Sequence, residues 1–298
     1  YNQCHFIFAR NQAEEADILV VNHHLLFADI ALRANKNLED GGGILPSYKQ
    51  VIFDEAHNIE EIATDYLGSR VSQKIVIKLL DDLYDLKEGT GLLLRLRLAV
   101  SDFKSESKQD WFKEIDNELI PLVRKVNETG RSLFNKVIDF MQQAKKSKAW
   151  KLRLIPQIRE KEFWQQVLVV EFENLSFNLD TMYKKLTKLL TQLINHQDEI
   201  EGFEILSVEL RAKIEFIKEL VTTIDEMIIN PKPDHVYWLE NNNGNCTLRA
   251  APLNINQKLQ DDLLDPMESL VFTSATLTVN NSFDFIQETL GLVDSKVD

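Results

Sequence analysis

The chain has 298 residues, 44% of them hydrophobic and 27% charged, with a formal net charge of −13 at pH 7. This length fits one large or two ordinary domains, and the composition excludes a disordered chain. There is no run of ~20 apolar residues and no signal-peptide pattern, so we expect no membrane span. Two cysteines in a chain of this length indicate a reducing compartment, and we expect a cytoplasmic location. Because the sequence starts at Tyr1 without methionine, we expect it to be a piece of a longer protein.

The negative charge is distributed unevenly along the chain. Residues 72–235 hold 26 of the 34 Lys and Arg and 27 of the 47 Asp and Glu, a net charge of −1. The flanks hold the other 8 basic and 20 acidic residues, a net charge of −12. A nearly neutral middle segment can carry a local basic face, so the overall charge does not exclude nucleic acid as a partner.

The N-terminal residues predict helices around a short buried strand. Residues 5–16 have a helical composition, residues 18–21 form an apolar run typical of a buried strand, and residues 25–32 resemble a short helix. The adjacent His23 and His24 are a poor pair of metal ligands, because neighbours at a strand end point to opposite faces.

A second apolar run, Val51-Ile52-Phe53, predicts a strand buried on both faces, as in a parallel sheet. Asp54 and Glu55 follow it directly, at the carboxyl end of the strand, where open α/β sheets bind their ligands. In P-loop NTPases an acid at this place helps to hold Mg²⁺, and a following acid is well placed to orient or deprotonate water. The alternative is a core strand that ends in a solvated acidic turn. A phosphate-binding loop needs Gly-Lys followed by Ser or Thr, and the sequence contains no Gly-Lys pair.

Residues 72–235 predict an all-helical segment, since they contain only four glycines and four prolines and their apolar residues recur at three-and-four spacing. Two long apolar stripes, joined by residues 195–202, predict an antiparallel helical hairpin. One stripe runs from Leu168 to Leu193 and the other from Phe203 to Ile228.

A basic patch stands out within this helical segment. It consists of Lys145, Lys146, Lys148, Trp150, Lys151 and Arg153. Cations that follow phosphates and a ring that stacks on a base suit single-stranded nucleic acid. A solvated lysine-rich loop between two helices is the alternative.

The C-terminal part returns to strands. Residues 235–240 and 246–250 flank the turn sequence Asn-Asn-Asn-Gly-Asn and predict a hairpin, and residues 253–264 predict a helix. Residues 269–272 then predict another strand, which runs into Thr273-Ser274-Ala275-Thr276. Hydroxyl groups at this strand end can bind a carboxylate or phosphate; the alternative is a Ser/Thr cap for a helix that begins near Ser282.

Two of these patterns resemble helicase motifs. Asp54-Glu55-Ala56-His57 resembles motif II of DEAH-type helicases, and residues 273–277, Thr-Ser-Ala-Thr-Leu, resemble motif III of superfamily 2. Their separation by a long helical insertion resembles the DinG/XPD branch, in which an iron–sulfur segment and a helical arch interrupt the first RecA-like domain. Residues 4–23 resemble the stretch in which that family's last cluster cysteine precedes the next core strand. Tyr237-Trp238-Leu239-Glu240 and residues 250–253 resemble the bacterial DinG-type pattern on the return from the arch.

The resemblance implies a role for each matching residue. Asp54 would hold Mg²⁺, Glu55 would be the general base, and His57 would link the nucleotide site to motif III. Ser274 and Thr276 would relay the ATP-bound state to the DNA side.

The resemblance further implies that the intact protein is an ATP-dependent DNA helicase, which moves 5′ to 3′ on single-stranded DNA and acts in DNA repair. Cys4 would be one of the four cysteines of a 4Fe–4S cluster, which this sequence alone cannot complete.

We therefore expect an α/β fold: a partial RecA-like parallel sheet, without its P-loop half, and a helical arch. Residues 1–71 and 236–298 would belong to the motor domain and residues 72–235 to the arch. A second RecA-like domain would lie beyond Asp298, and this piece alone should not hydrolyse ATP. The alternative from another class is a non-enzymatic helical interaction or nucleic-acid-binding module on a small α/β base.

Overall fold

The computed structural model describes residues 5–36, 43–101, 107–145 and 151–292. The chain forms two compact units, residues 1–69 with 251–298 and residues 70–250. None of the helices in these described ranges is long and apolar enough to cross a membrane.

The first unit combines short helices with two strands. Its elements are α1 (His5–Glu14), α2 (His23–Lys36), β1 (Gln50–Phe53), a 3₁₀ turn (Ala56–Asn58), α3 (Ile59–Leu67), α11 (Asn256–Leu259) continued by a π-helical turn (Gln260–Leu264), β6 (Ser269–Phe272) and α12 (Asp284–Leu290). Strands β1 and β6 pair in parallel, with Phe53 opposite Phe272. The pairing of these distant segments in one parallel sheet confirms that part of the predicted α/β fold.

The second unit is mainly helical and also contains a four-stranded sheet. Its elements are β2 (Ser69–Ser72), α4 (Gln73–Leu83), α5 (Leu92–Ala99), α6 (Ser107–Lys113), a π-helical segment (Glu114–Leu119), α7 (Ile120–Lys145), β3 (Lys151–Arg153), α8 (Pro156–Arg159), a π-helical turn (Trp164–Leu168), α9 (Val169–Ile194), a 3₁₀ turn (Gln197–Glu199), α10 (Phe203–Ile224), a π-helical turn (Asp225–Ile229), β4 (His235–Asn242) and β5 (Asn245–Pro252). The strand order in the sheet is β2-β5-β4-β3.

The helical hairpin of the second unit follows the predicted stripes. Helices α9 and α10 pack against each other along their lengths, and the predicted apolar positions from Leu168 to Ile228 are mostly buried in one core. Ser72 is the N-cap of helix α4, and its hydroxyl accepts the Ile75 backbone N–H at 3.2 Å.

Two sequence expectations about strands are wrong. Residues 18–21 form no strand, because no described strand pairs with them, and the side chain of Val20 is 95% exposed. The β1–β6 sheet is buried on one face only: Ile52 and Val271 are 73% and 47% exposed, since no described layer covers that face.

The middle segment is not all-helical either. Strand β3 interrupts it, with Leu152 buried between exposed Lys151 and Arg153 and paired antiparallel with β4. A short strand of this kind gains its stability from the neighbouring strand, which lies more than 80 residues further along the chain. Strands β4 and most of β5 also pack within the second unit.

Candidate nucleotide site

Two backbone hydrogen bonds extend the β1–β6 pairing past the ends of both strands. The Thr273 N–H donates to the Phe53 carbonyl at 2.8 Å, and the Ala56 N–H donates to the Thr273 carbonyl at 3.0 Å. The rings of Phe53 and Phe272 stack beneath them, with centroids 5.4 Å apart and planes 3° from parallel. The chain therefore leaves both strands in a fixed register, and the residues that follow them meet at one sheet edge.

The turn after β1 is tight because Glu55 adopts a left-handed conformation, with φ 53° and ψ 45°. This region costs a non-glycine residue about 1–2 kcal/mol, and such conformations persist where the surroundings impose them, often at functional sites. The Asp54 carboxylate accepts the Glu55 backbone N–H at 3.0 Å and so supports the turn. Both acidic side chains are exposed at the sheet edge.

The Ser274 hydroxyl joins the two motifs. It donates to Glu55 Oε2 at 3.3 Å and lies 2.8 Å from His57 Nδ1, which is 3.3 Å from the same Glu55 oxygen. Either group can be the donor in the contact between Ser274 and His57 Nδ1, because the role of the ring nitrogen depends on the histidine tautomer. The hydroxyl also accepts the Thr276 backbone N–H at 3.3 Å.

These contacts bring Glu55, His57 and Ser274 together, with Asp54 adjacent. Thr276 takes part only through its backbone, and its side chain is exposed. The alternative in which the Ser/Thr run caps the last helix does not apply to Ser274, because Ser282 accepts the Asp284 N–H at the start of α12.

The donor set at this edge fits Mg²⁺ held together with a nucleotide. Magnesium is usually bound by one or two carboxylates, with phosphate oxygens and waters completing its octahedron. The exposed Asp54 offers one carboxylate oxygen beyond the one that accepts the Glu55 N–H. In the described ranges, no three His, Cys, Asp or Glu side chains lie close enough to hold a metal by themselves.

The sequence analysis missed a buried carboxylate that anchors the approach to β1. Asp29 on α2 is fully buried, and it accepts the backbone N–H groups of Ile44 and Leu45 at 2.6 and 3.0 Å. Its other oxygen accepts Arg33 Nε at 2.8 Å and the Tyr48 hydroxyl at 2.9 Å. Burial, with the neighbouring carboxylate, raises the pKa of Tyr48 well above its ordinary value. An aspartate inside the apolar run Leu-Leu-Phe-Ala-Asp-Ile was the available signal.

The two histidines also lie elsewhere than predicted. His23 and His24 are in the first turn of α2, and the His23 ring stacks on Phe53 at 5.8 Å, while the His24 ring lies 5.8 Å from Tyr66. Asn22 caps this helix by accepting the Leu25 N–H at 2.8 Å. The pair supports the packing around β1.

Only part of the predicted nucleic-acid patch falls within the described residues. Lys146, Lys148 and Trp150 lie outside them, as does the side chain of Lys145. Lys151 and Arg153 are exposed on strand β3.

Of the two cysteines, only Cys246 falls within the described residues. Cys4 lies outside the described residues, and Cys246 is buried in the core of the second unit, where burial raises the pKa of its thiol to about 12. Cys246 is therefore no ligand for a cluster in this unit.

Comparison with known proteins agrees with the motifs. Residues 1–76 match the DEAD_2 family model. The chain is 26% identical to the ATP-dependent DNA helicase YoaA of Haemophilus influenzae over 98% of its own length and 38% of that protein. It is 24% identical to the Escherichia coli helicase of the same name, with the same coverage of both chains.

This chain is similar in sequence to DinG-type helicases over nearly its whole length. It is also 24% identical to the 3'-5' exonuclease DinG of Bacillus subtilis, over 96% of this chain and 30% of that protein. The chain thus spans less than half the length of each of these DinG-type relatives.

Proposed function

We propose that these 298 residues belong to an ATP-dependent DNA helicase and contain its hydrolytic acids together with their link to motif III. The observation that carries the proposal is the contact of Ser274 with both Glu55 and His57, across 219 and 217 residues of sequence. Helicase names among the relatives give it further support. The proposed activity includes 5′ to 3′ movement on single-stranded DNA and action at duplex junctions during DNA repair.

Each residue at the edge has a separate task in this proposal. Asp54 holds Mg²⁺, which would neutralise charge on the ATP phosphates when bound. Glu55 accepts a proton from the attacking water as the general base. Ser274, from the segment after β6, and His57, from the turn after β1, both contact its carboxylate.

The link to DNA follows from the same contacts. Because Ser274 binds Glu55 and His57 and also holds the Thr276 backbone, a change at the carboxylate alters the start of the segment after β6. We infer that this segment relays the nucleotide state to bound single-stranded DNA. The second unit takes the place of the helical arch.

The proposal for the 4Fe–4S cluster concerns the intact protein only. Such a cluster takes four cysteines, and this sequence has Cys4 and the buried Cys246. The residues present do not fit the group, and no step of the mechanism depends on it.

Substitution of the two acids in the full-length protein tests the assignment. Glu55→Gln removes the base and keeps the metal ligand, so ATP turnover should fall about 10²–10⁴-fold while ATP binding persists. Asp54→Asn should weaken Mg²⁺-dependent nucleotide binding as well. Glu60→Gln, an exposed acid in the first turn of α3, is the matched control and should turn over ATP normally.

Normal steady-state turnover in Glu55→Gln would refute the role of the base. The 298-residue chain alone should show no ATPase activity, because its sequence contains no phosphate-binding Gly-Lys pair. A non-enzymatic module, the competing function, predicts no ATPase activity in the full-length protein either.

A further inference from the structure

The four-stranded sheet of the second unit has one face in the core and one face outside it. Leu152 and Leu239 pair across β3 and β4 and are buried in the core. Since successive side chains of a strand point to opposite faces, Lys151 and Arg153 lie on the outer face. Strand β3 is the edge of the sheet, and the side chain of Lys151 is 69% exposed there.

Next to this edge, the outer face carries a tryptophan between two arginines. Arg153 on β3 is directly opposite Trp238 on β4. From β5, the Arg249 guanidinium lies over the Trp238 ring, 5.8 Å from its centroid. The three side chains form a row across three neighbouring strands, in which an indole is flanked by two planar cations.

A buried carboxylate holds this row in place. Glu240 Oε1 accepts the Trp238 indole N–H at 2.7 Å and lies 3.0 Å from Lys151 Nζ, while Oε2 is 3.7 Å from Arg249. Only 9% of the Glu240 side chain is exposed. Despite the burial, hydrogen bonds from Trp238 and Lys151 keep the pKa of Glu240 below its ordinary value. The ring and two of the cations are therefore oriented before any ligand arrives.

The charge and shape of this face match one class of ligand. Lys151 and Arg153 are exposed cations on the edge strand of a chain whose net charge is −13, and the Arg249 guanidinium lies against the Trp238 ring with 14% of its side chain exposed. Unpaired bases stack on aromatic rings and guanidinium planes, while neighbouring cations bind the phosphates. A duplex offers its phosphates but keeps its bases stacked inside.

We propose that the β3 edge and the outer face around Trp238 form a binding site for single-stranded DNA. Arg153 and Lys151 contact phosphates, and a base stacks against the Trp238 ring. The inference rests on the proposed function for its choice of DNA, and it adds a second contact region far in sequence from the nucleotide site.

Binding of a labelled oligothymidine of about 15 nucleotides to the 298-residue chain tests the site, across a salt series of about 50–200 mM. Lys151→Ala with Arg153→Ala should reduce the salt slope by up to about 1.4, because each phosphate contact contributes about 0.7 on single strands. The control pair, Lys184→Ala with Lys218→Ala, removes the same charge from exposed positions on α9 and α10 and should leave the slope unchanged.

Trp238 tests the stacking contact. Trp238→Ala should weaken binding about 5- to 150-fold, whereas Trp238→Phe keeps a ring and should retain most of the affinity. The comparison matters because both changes lose the hydrogen bond to Glu240 and only one loses the ring. A fall in affinity of equal size in both variants, or tighter binding of duplex than of single strand, would overturn the stacking assignment.

The failure of this site and that of the helicase proposal give different results. An unchanged slope in the Lys151 and Arg153 double variant, together with loss of turnover in Glu55→Gln, removes the sheet site and keeps the helicase. A slope that falls as expected, with no ATPase activity in the full-length protein, keeps the site and removes the helicase.

Discussion

Replacement of Asp29 by alanine should destabilise the first unit by about 3–5 kcal/mol, the cost of removing one partner of a buried ion pair. The structure gives the reason. The change leaves two backbone N–H groups, the Tyr48 hydroxyl and Arg33 Nε without their acceptor inside the fold. The Arg33 guanidinium keeps its hydrogen bonds to the Leu45 and Pro46 carbonyls. Tyr48→Phe removes only one of these hydrogen bonds, to a charged acceptor, and should cost about 1.5–3 kcal/mol.

Native-state hydrogen exchange measures this effect where it arises. In Asp29→Ala, protection of peptides covering residues 43–58 should fall by about two to nearly four orders of magnitude, at 1.4 kcal/mol per factor of ten. The α9–α10 hairpin in the second unit serves as an internal reference. Asp17→Ala, an exposed aspartate, is the matched control and should change stability by less than about 0.5 kcal/mol. If Asp29→Ala behaves like Asp17→Ala, Asp29 does not anchor the loop before β1.

Two further predictions concern the motif contact and the buried thiol. In the full-length protein, His57→Ala and Ser274→Ala should be non-additive in ATP turnover by about 0.5–3 kcal/mol, since their side chains touch; additive losses would show that the 2.8 Å contact does not contribute. In a Cys4→Ser background, Cys246 should react with a thiol reagent only as fast as the second unit opens, and immediate labelling of the native protein would contradict its burial. Burial raises the pKa of Cys246 from 9.0 to about 12, so the unfolded chain loses this proton first as pH rises. Stability from the neutral thiol is full below pH 9 and is lost toward pH 12; urea unfolding should show a steeper alkaline decline in wild type than in Cys246→Ala.

The sequence predicted those parts of the fold that depend on local patterns. The apolar stripes of α9 and α10 repeat at helical spacing over many turns, and a signal of that length leaves few alternatives. Val51-Ile52-Phe53 and Leu270-Val271-Phe272 are short, but each is followed by residues that end a strand. The prediction that these two strands share one sheet rested on the motifs that follow them, not on the periodicity of their apolar residues.

The errors have a shared physical cause, which is that a strand depends on its neighbours. Residues 18–21 have the same apolar character as β1 and form no strand, because among the described residues none pairs with them. Strand β3 has an unremarkable Lys-Leu-Arg sequence and forms because β4 offers it a partner. Likewise, the apolar run around Asp29 signals a buried carboxylate, but the sequence does not reveal which groups surround that carboxylate after folding.

The contact between the two motifs depends on register more than on sequence distance. Closing a loop costs only about 0.6 kcal/mol more for each doubling of its length. The insertion of residues 70–250, which has its own core, therefore adds little to the cost of pairing β1 with β6. A slip of one residue in that pairing would turn every β6 side chain to the opposite face. The stacked rings of Phe53 and Phe272, with the Thr273 hydrogen bonds beyond them, oppose such a slip. The position of Ser274 beside Glu55 is therefore set by the packing of Phe53 and Phe272, each two residues before the contact, and the long insertion is free to vary without moving it.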